Sequence, residues 1–382
     1  MKRALVLALG TALVATTMAA PVQLSAQTKA AKAAYKAPRN SLGQPDLGEY
    51  WSNASLTPEN RPAEYGNRLV MTPEEVKKIE AAEQEEITLG DIPIDPNAPP
   101  PSVGGDLRPG QTTFSAAGGN VGGYNRGWLD PGTAVMRVRG EPRTSLITTP
   151  TGRAPARKGA PAGAPAAGGR GGGGGPPGAA PGRGGGGGGA GGGGRGGAFD
   201  NPETRALGER CIISFGRNGG PPMFANGFYN NNYQFVQSKN AVAIVAEMVH
   251  DTRIIRLNDK HRTDGVRPWF GDSIGRWEGD TLVVETTNIP QRQAYNGSWE
   301  NLTVTEKFTR VAPDRLHYQF IISDPTMWDA PWGGEYEFSA LNGRVMEYAC
   351  HEGNYALEGI LAGARNDEAM AARAAGGRAG TQ

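Results

Sequence analysis

The sequence has few of the residues that most often bind metals. Of its 382 residues, two are cysteine and four are histidine. The histidines show neither an HxH nor an HExxH spacing, and no EF-hand loop is present. They are His250, His261, His317 and His351. We therefore predict no metal site and no bound cofactor.

Long apolar runs are also scarce. The one candidate lies at the N-terminus, where Lys2 and Arg3 precede an apolar stretch from Ala4 to Ala20 that Thr and Gly interrupt. The small residues of Leu24-Ser25-Ala26 follow and suit a cleavage site. This pattern is typical of a secretory signal peptide rather than of a membrane span, and we predict a signal peptide over residues 1–26. We expect a periplasmic or secreted protein that has no membrane span after cleavage.

The chain has no excess of charge of one sign. Its formal net charge is +1, and removal of residues 1–26 takes away two basic residues and no acidic one, which leaves −1. Such a chain has no overall field that attracts nucleic acid. Residues 156–198 are almost entirely Gly, Ala, Pro and Arg, without interleaved aromatics, and favour a disordered linker. We predict no nucleic-acid partner.

The two cysteines, Cys211 and Cys350, lie at the two ends of the strand-rich part of the chain. In an oxidising compartment this placement favours one disulfide, which closes a loop of about 140 residues and contributes roughly 4–5 kcal/mol in the chain-entropy model. The alternative is a reactive thiol, because His351 and Glu352 follow Cys350 directly.

The sequence divides the mature chain into four parts. Residues 27–155 are predicted to be an N-terminal extension packed on the β domain, with one short helix that starts at Thr72-Pro73-Glu74-Glu75 and ends near Glu86. Within the extension, Pro45–Trp51 is predicted to supply an edge strand. The linker over 156–198 follows, then a β domain over 199–365 and a flexible tail over 366–382.

Period-two alternation of apolar residues begins after Cys211 and predicts nine strands. The predicted strands are Tyr233–Gln237, Ala241–Met248, Thr252–Leu257, Ile274–Trp277, Thr281–Thr287, Leu302–Arg310, Leu316–Ile322, Gly334–Ser339 and Arg344–Cys350. Short turns containing Gly, Pro or Asn separate several of them. We predict a mainly β fold, an antiparallel meander that forms either a barrel-like (lipocalin-like) domain or a sandwich.

Distinctive segments of the chain include YNRGWLDPG (124–132), GDSIGRWEGDTLVVETTN (271–288) and YACHEGNYALEGILAGAR (348–365). In these segments the chain resembles a family of uncharacterised secreted bacterial proteins. The resemblance covers most of the mature chain apart from the Gly-rich linker and the termini. It implies export and a shared fold, and it carries no established activity.

Asp272 and Ser273 lie in Gly271–Gly275, which fits the G-x-S-x-G nucleophile elbow, and His351 and Asp324 complete the residue types of a triad. An elbow requires a strand before the serine and a helix after it. Here Pro and aromatic residues precede the serine and a hairpin follows, so the local pattern disfavours a serine hydrolase.

His250, Arg253 and Glu306 form a second candidate cluster. His250 continues the apolar face of the preceding strand, where it is either a general base at the mouth of the interior or a residue that caps a hairpin. Glu306 shares a strand face with apolar residues, and either a functional role or an ion pair with Arg253, Arg276 or Arg310 accounts for it.

Aromatic residues in or beside the loops of the β domain suggest a ligand surface. Tryptophan at loop ends lines many sugar and apolar-ligand sites, although it also fills the ends of barrels as plain core. The candidate ligand-binding residues are Trp269, Trp277, Trp299 and Trp332.

Two functional hypotheses follow from these patterns. The first is an exported, non-catalytic β protein that binds a small-molecule or glycan ligand or serves an envelope role. The second is a periplasmic enzyme of hydrolase or lyase type that uses His250, Arg253 and Glu306, with Asp272 and Ser273, for acid–base chemistry. We favour the first because no cluster combines the right residue types with the right local context.

Overall fold

The computed structural model describes residues 35–90, 130–159, 199, 201–214, 216–225 and 229–379. The predicted signal peptide and residues 160–198 of the predicted linker lie outside these residues. Within the described ranges, no helix is both long and apolar enough to cross a membrane.

Nine strands form a closed barrel in the order β1-β11-β10-β9-β8-β7-β6-β5-β4. They are β1 (Tyr50–Ser52), β4 (Asn232–Gln237), β5 (Ala241–Ala246), β6 (Thr252–Leu257), β7 (Asp272–Glu278), β8 (Thr281–Thr287), β9 (Thr303–Ala312), β10 (Arg315–Ser323) and β11 (Trp332–Ala340). Outside the barrel, β2 (Arg137–Val138) and β3 (Glu141–Pro142) form a separate two-stranded sheet. The prediction of a mainly β, barrel-like fold is confirmed, and of its two forms the barrel is the one observed.

One pair of barrel strands departs from the antiparallel prediction. β6 and β7 run parallel, with Ile255 opposite Ser273, while the other neighbours pair antiparallel. The reason is the connection over residues 258–271. It is longer than a hairpin turn, and a connection of this length can return the chain to the same end of the sheet before the next strand starts.

The barrel interior is a packed core. Alternation along each strand sends every second side chain inward, as with Val242, Ile244 and Ala246 on β5, all of which are buried. Aromatic rings fill the middle, with centroids 4.8–6.2 Å apart, and they belong to Phe235, Phe308, Tyr318, Tyr336 and Phe338. The interior is therefore occupied by side chains in the manner of a small closed barrel.

Strand β1 closes the barrel. Trp51 lies opposite Tyr233 of β4 on one side and Ala340 of β11 on the other, and its side chain is 1% exposed. The prediction of an edge strand here is wrong, because both sides of β1 are paired. Its partners are far away in sequence, so no local pattern signals the closure.

Helix α1 spans Pro73–Gly90 and begins with the predicted capping box. The Glu75 N–H donates to Thr72 Oγ1 at 3.3 Å, and the Thr72 N–H donates to Glu75 Oε2 at 2.7 Å. Val76 packs with Met71 and Val135 in a small apolar cluster. This cluster joins α1 to the chain before β2.

The extension also lies directly on β11. The Thr148 N–H donates to Gly333 O, and the Glu335 N–H donates to Leu146 O, both at 3.0 Å. A Cβ at Gly334 would lie 2.3 Å from Leu146 O, so only glycine permits this close approach. Residues 333–335 of β11 therefore pair with β10 along one edge and with the extension along the other.

The C-terminal part differs from the prediction in two ways. Residues 344–350 form no strand, and the Met346 N–H donates to the Glu247 carboxylate at 2.7 Å. Helix α2 spans Tyr355–Ala379, where the end of the β domain and a flexible tail were expected. Alanine-rich sequence has a high helix propensity even where its side chains stay exposed.

Candidate functional site

Glu306 and Arg253 form an ion pair inside the barrel. Arg253 Nη1 lies 2.5 Å from Glu306 Oε2, and Arg253 Nη2 lies 3.0 Å from Glu306 Oε1. Their side chains are 0% and 2% exposed, respectively. Of the three arginines considered for this carboxylate, Arg253 is its partner. The pair is closed to solvent and holds both charges in a fixed bidentate geometry.

Tyrosine hydroxyls extend this pair into a buried network. Tyr318 Oη donates to Glu306 Oε1 at 2.8 Å and accepts from the Met223 N–H at 2.9 Å, and Tyr336 Oη donates to Met223 O at 2.9 Å. Burial raises the pKa values of Tyr318 and Tyr336 well above the usual range. The network ties the Met223 backbone to the barrel interior.

His250 does not join Arg253 and Glu306. Strand β5 ends at Ala246, and Met248–His250 form a short 3₁₀ turn that breaks the alternation. The His250 side chain is exposed, while the ion pair is enclosed. The predicted face continues only as far as the strand, so the acid–base cluster of the second hypothesis is not assembled.

Ser273, Asp324 and His351 do not form a triad. Ser273 lies within β7, not at a strand–helix elbow, and its Oγ is 2.8 Å from Thr286 Oγ1. Asp324 accepts hydrogen bonds from Ser298 and Thr326, at 2.5 and 2.6 Å from their hydroxyls. His351 is exposed beside the disulfide. The serine hydroxyl and the carboxylate each have other partners.

Asp272 belongs to a charged network on the outer surface. Its carboxylate lies 2.8 Å from Arg256 Nη2 and 3.0 Å from His261 Nδ1, and His261 Nε2 lies 3.1 Å from Glu285. Burial acts to raise the pKa of Asp272, but the hydrogen bonds from the Arg262 N–H, His261 and Arg256 hold it below its usual value. In the described part of the chain, no group of three His, Cys, Asp or Glu residues could hold a metal ion.

The four predicted tryptophans do not form one surface. Trp269 is 39% exposed, Trp277 packs against the core, and Trp299 lies under the Arg267 guanidinium at 5.0 Å. Trp332 is 5% exposed and contacts the rings of Tyr295 and Trp328 at 5.9 and 5.5 Å. Trp332 is also among the residues around a concave surface.

That concave surface is the outer groove, which lies on the outer face of β9–β11 where the extension meets the barrel. It has a volume of about 530 Å³. The extension contributes Leu69 and Thr148, and the barrel contributes two adjacent rows of outward-facing side chains and the start of β11. The barrel residues of the groove include Thr305, Lys307, Gln319, Ile321, Trp332 and Glu335. A concavity of this size suits a small ligand.

Strand register sets the polar row of the outer groove. Val283, Lys307, Gln319 and Glu335 lie side by side on β8, β9, β10 and β11. The next row along the strands is less polar, with Thr305, Ile321 and Gly333 on neighbouring strands. The groove therefore has one polar side and one mainly apolar side.

Glu335 is fully engaged within the groove wall. Its carboxylate lies 2.9 Å from Arg143 Nη2, 3.1 Å from His317 Nε2 and 3.3 Å from Gln319 Nε2. The hydrogen bond from His317 is the main cause that lowers the pKa of Glu335. His317 opposes the inward face of β10, yet it is 4% exposed. On this outer face the extension contacts β11, because Arg143 binds Glu335 and the Arg139 N–H donates to Glu337.

The sequence patterns did not single out Lys307, Gln319, Glu335 or Thr148. Alternation along β9 and β10 could place the first two on the outer face, yet polar residues on an outer face are ordinary. Only the extension, which approaches β11 through Thr148, makes that face concave.

Comparison of the chain with protein-family models, with curated proteins and with solved structures gave no match in any of the three.

Proposed function

We propose that the protein is an exported, non-catalytic binding protein whose ligand, a small molecule or glycan, lies in the outer groove. The observation that carries this proposal is the composition of the groove. It combines apolar side chains at Ile321 and Leu69 with Lys307 and Gln319 in about 530 Å³. Pockets that bind small ligands combine apolar walls with a few well-placed polar groups in this way.

The chemistry of the interior supports binding rather than catalysis. Arg253 and Glu306 neutralise each other in a closed core, and His250 is exposed on the surface. A general base must reach the proton that it abstracts. In the described structure these candidate groups are either enclosed or separate from one another.

Export is part of the same proposal. The N-terminal pattern that favours a signal peptide, the resemblance to secreted bacterial proteins and the Cys211–Cys350 disulfide all agree with an oxidising compartment outside the cytoplasm. Measurement of the mature N-terminus by mass spectrometry of protein from the native host tests it. Cleavage near residue 26 supports export, and an intact N-terminus in the cytoplasm contradicts it.

The binding test uses the mature protein, a panel of small organic acids, alcohols, amines and oligosaccharides, and titration calorimetry. Gln319→Ala removes a side-chain amide from the polar row of the outer groove. We expect it to weaken binding of the ligand that the wild type selects by about tenfold, as for the loss of one hydrogen bond.

The matched control is Arg276→Ala. Arg276 lies in the same row of outward-facing side chains, on β7, but is not among the groove residues. We expect the Arg276→Ala variant to bind the selected ligand with the same affinity as the wild type. The proposal fails if no panel member binds. It also fails if neither Gln319→Ala nor Thr305→Ala changes the affinity for the ligand that binds.

A further inference from the structure

We propose that the outer groove selects a small amphiphilic anion: one carboxylate or similar anionic group on a short apolar body. This inference rests on the proposed function and names the ligand class of the same site. It depends on the one charge in the groove that has no partner, and on the separation of polar and apolar side chains across the groove.

Lys307 is the uncompensated charge. It extends from the outer face of β9, between Val283 and Gln319 in the strand register, and it lines the groove. Its ammonium group forms no ion pair and no hydrogen bond with any described residue. A half-buried cation without a partner favours an anionic ligand group over a neutral or cationic one.

The carboxylates on this face do not neutralise Lys307. Glu335 lies two strands away, about 10 Å at the usual strand spacing, and its oxygens are held by Arg143, His317 and Gln319. Glu285, one row further along β8, contacts His261 at 3.1 Å. The polar side of the groove therefore holds an ammonium group without a contacting counterion among the described residues.

The apolar side lies within reach of the same ligand. Ile321 is 44% exposed and is the diagonal neighbour of Lys307 on the adjacent strand, a separation of about 7–8 Å. The half-buried Leu69 of the extension continues this apolar surface. A ligand of about eight carbon atoms spans the distance from the ammonium group to the apolar side.

The test compares three probes that share one chain: octanoate, octanol and octylamine. We expect the wild type to bind octanoate at least about tenfold more tightly than the other two at low ionic strength, as titration calorimetry measures it. The preference should shrink as salt is added, because the Lys307 site is partly exposed to solvent.

Lys307→Gln tests the residue itself, and Lys239→Gln, an exposed lysine in the turn between β4 and β5, is its matched control. We expect Lys307→Gln to bind octanoate and octanol equally, with the octanol affinity unchanged from the wild type. Lys239→Gln should keep the full preference. The unchanged octanol affinity shows that the groove has kept its shape.

Each result separates the two proposals. If the wild type binds octanoate and octanol equally, or binds an oligosaccharide and none of the octyl probes, the amphiphilic-anion inference is wrong while the outer groove remains a binding site. If octanoate preference persists in Lys307→Gln, the inference is also wrong. If no probe and no oligosaccharide binds, both proposals fail.

Discussion

At the scale of single residues, the barrel contains ionisable side chains that are buried away from solvent. Arg253 and Glu306 are buried together in the barrel. Asp251, which directly precedes β6, is 7% exposed. A buried charge is tolerated only with partners, and its cost appears when one partner is removed or when the pH changes. Two predictions follow from these residues.

Glu306→Gln should lower the free energy of unfolding by about 3–5 kcal/mol, because it leaves the Arg253 charge buried without its counterion. Urea denaturation measures the loss. Arg276→Gln, which breaks an exposed ion pair with Glu278, should change stability by less than about 1 kcal/mol. The double variant Arg253→Met/Glu306→Leu should recover part of the loss. Equal stability of Glu306→Gln and wild type would refute a structural role for the pair.

Asp251 should make stability depend on pH. Burial raises its pKa from 3.8 to about 6, although the Ser214 N–H donates to its carboxylate at 2.7 Å. The folded chain therefore binds this proton more tightly than the unfolded chain. Its contribution to stability is greatest below about pH 4 and is lost as the pH rises to about 6.

Asp251→Asn keeps the acceptor for the Ser214 N–H and removes the charge. We expect it to match the wild type below about pH 4 and to exceed it above about pH 6, by at most about 3 kcal/mol. The comparison of the two proteins cancels the other carboxylates, several of which have lowered pKa values. Glu352→Gln, at an exposed position, is the control. Parallel stability curves for wild type and Asp251→Asn from pH 4 to pH 7 would overturn this assignment.

At the scale of elements, connections decide what the strands build. The 258–271 connection turns a meander into a mixed barrel, and Ile147 bridges to Gly334 so that the extension pairs with one edge of β11. The Cys211–Cys350 disulfide joins the segment before β4 to the segment before α2, with Cα atoms 5.7 Å apart. The predicted disulfide is confirmed, and neither cysteine is a free thiol.

Loss of the disulfide should destabilise the fold without altering the barrel strands. For Cys211→Ser/Cys350→Ser we expect a loss of about 2–5 kcal/mol in the free energy of unfolding. Hydrogen exchange should increase first over residues 344–354, which lack strand partners. Reduced wild-type protein should behave like the variant. An unchanged unfolding midpoint in the double variant would show that the link is dispensable.

At the scale of the whole molecule, the barrel is filled by side chains and carries the outer groove on its outer face. Its interior is filled by aromatic rings and a closed ion pair, so the groove that we propose for the ligand lies on the outer face, where the extension meets β9–β11. Part of that extension, β1, is itself a strand of the barrel. The groove therefore depends on chain segments that are far apart in the sequence, near residues 69 and 148 and within residues 305–335.

The sequence by itself determined the local features. Period-two alternation located eight of the nine predicted strands, with changes at their ends, because burial of one sheet face acts on neighbouring residues. The capping box at Thr72 and Glu75 and the disulfide were also readable, since each depends on residue type and spacing. The inward placement of Glu306 followed from the same alternation.

Tertiary structure alone decided what depends on distant partners. Closure by β1, the parallel step at β6–β7 and the choice of Arg253 for Glu306 each join segments that no local pattern connects. The outer groove also depends on distant segments, because Lys307 becomes a candidate ligand-binding residue only when Thr148 and Trp332 line the same groove. Alternation specifies which face a side chain occupies, whereas contact between distant segments specifies what that face meets.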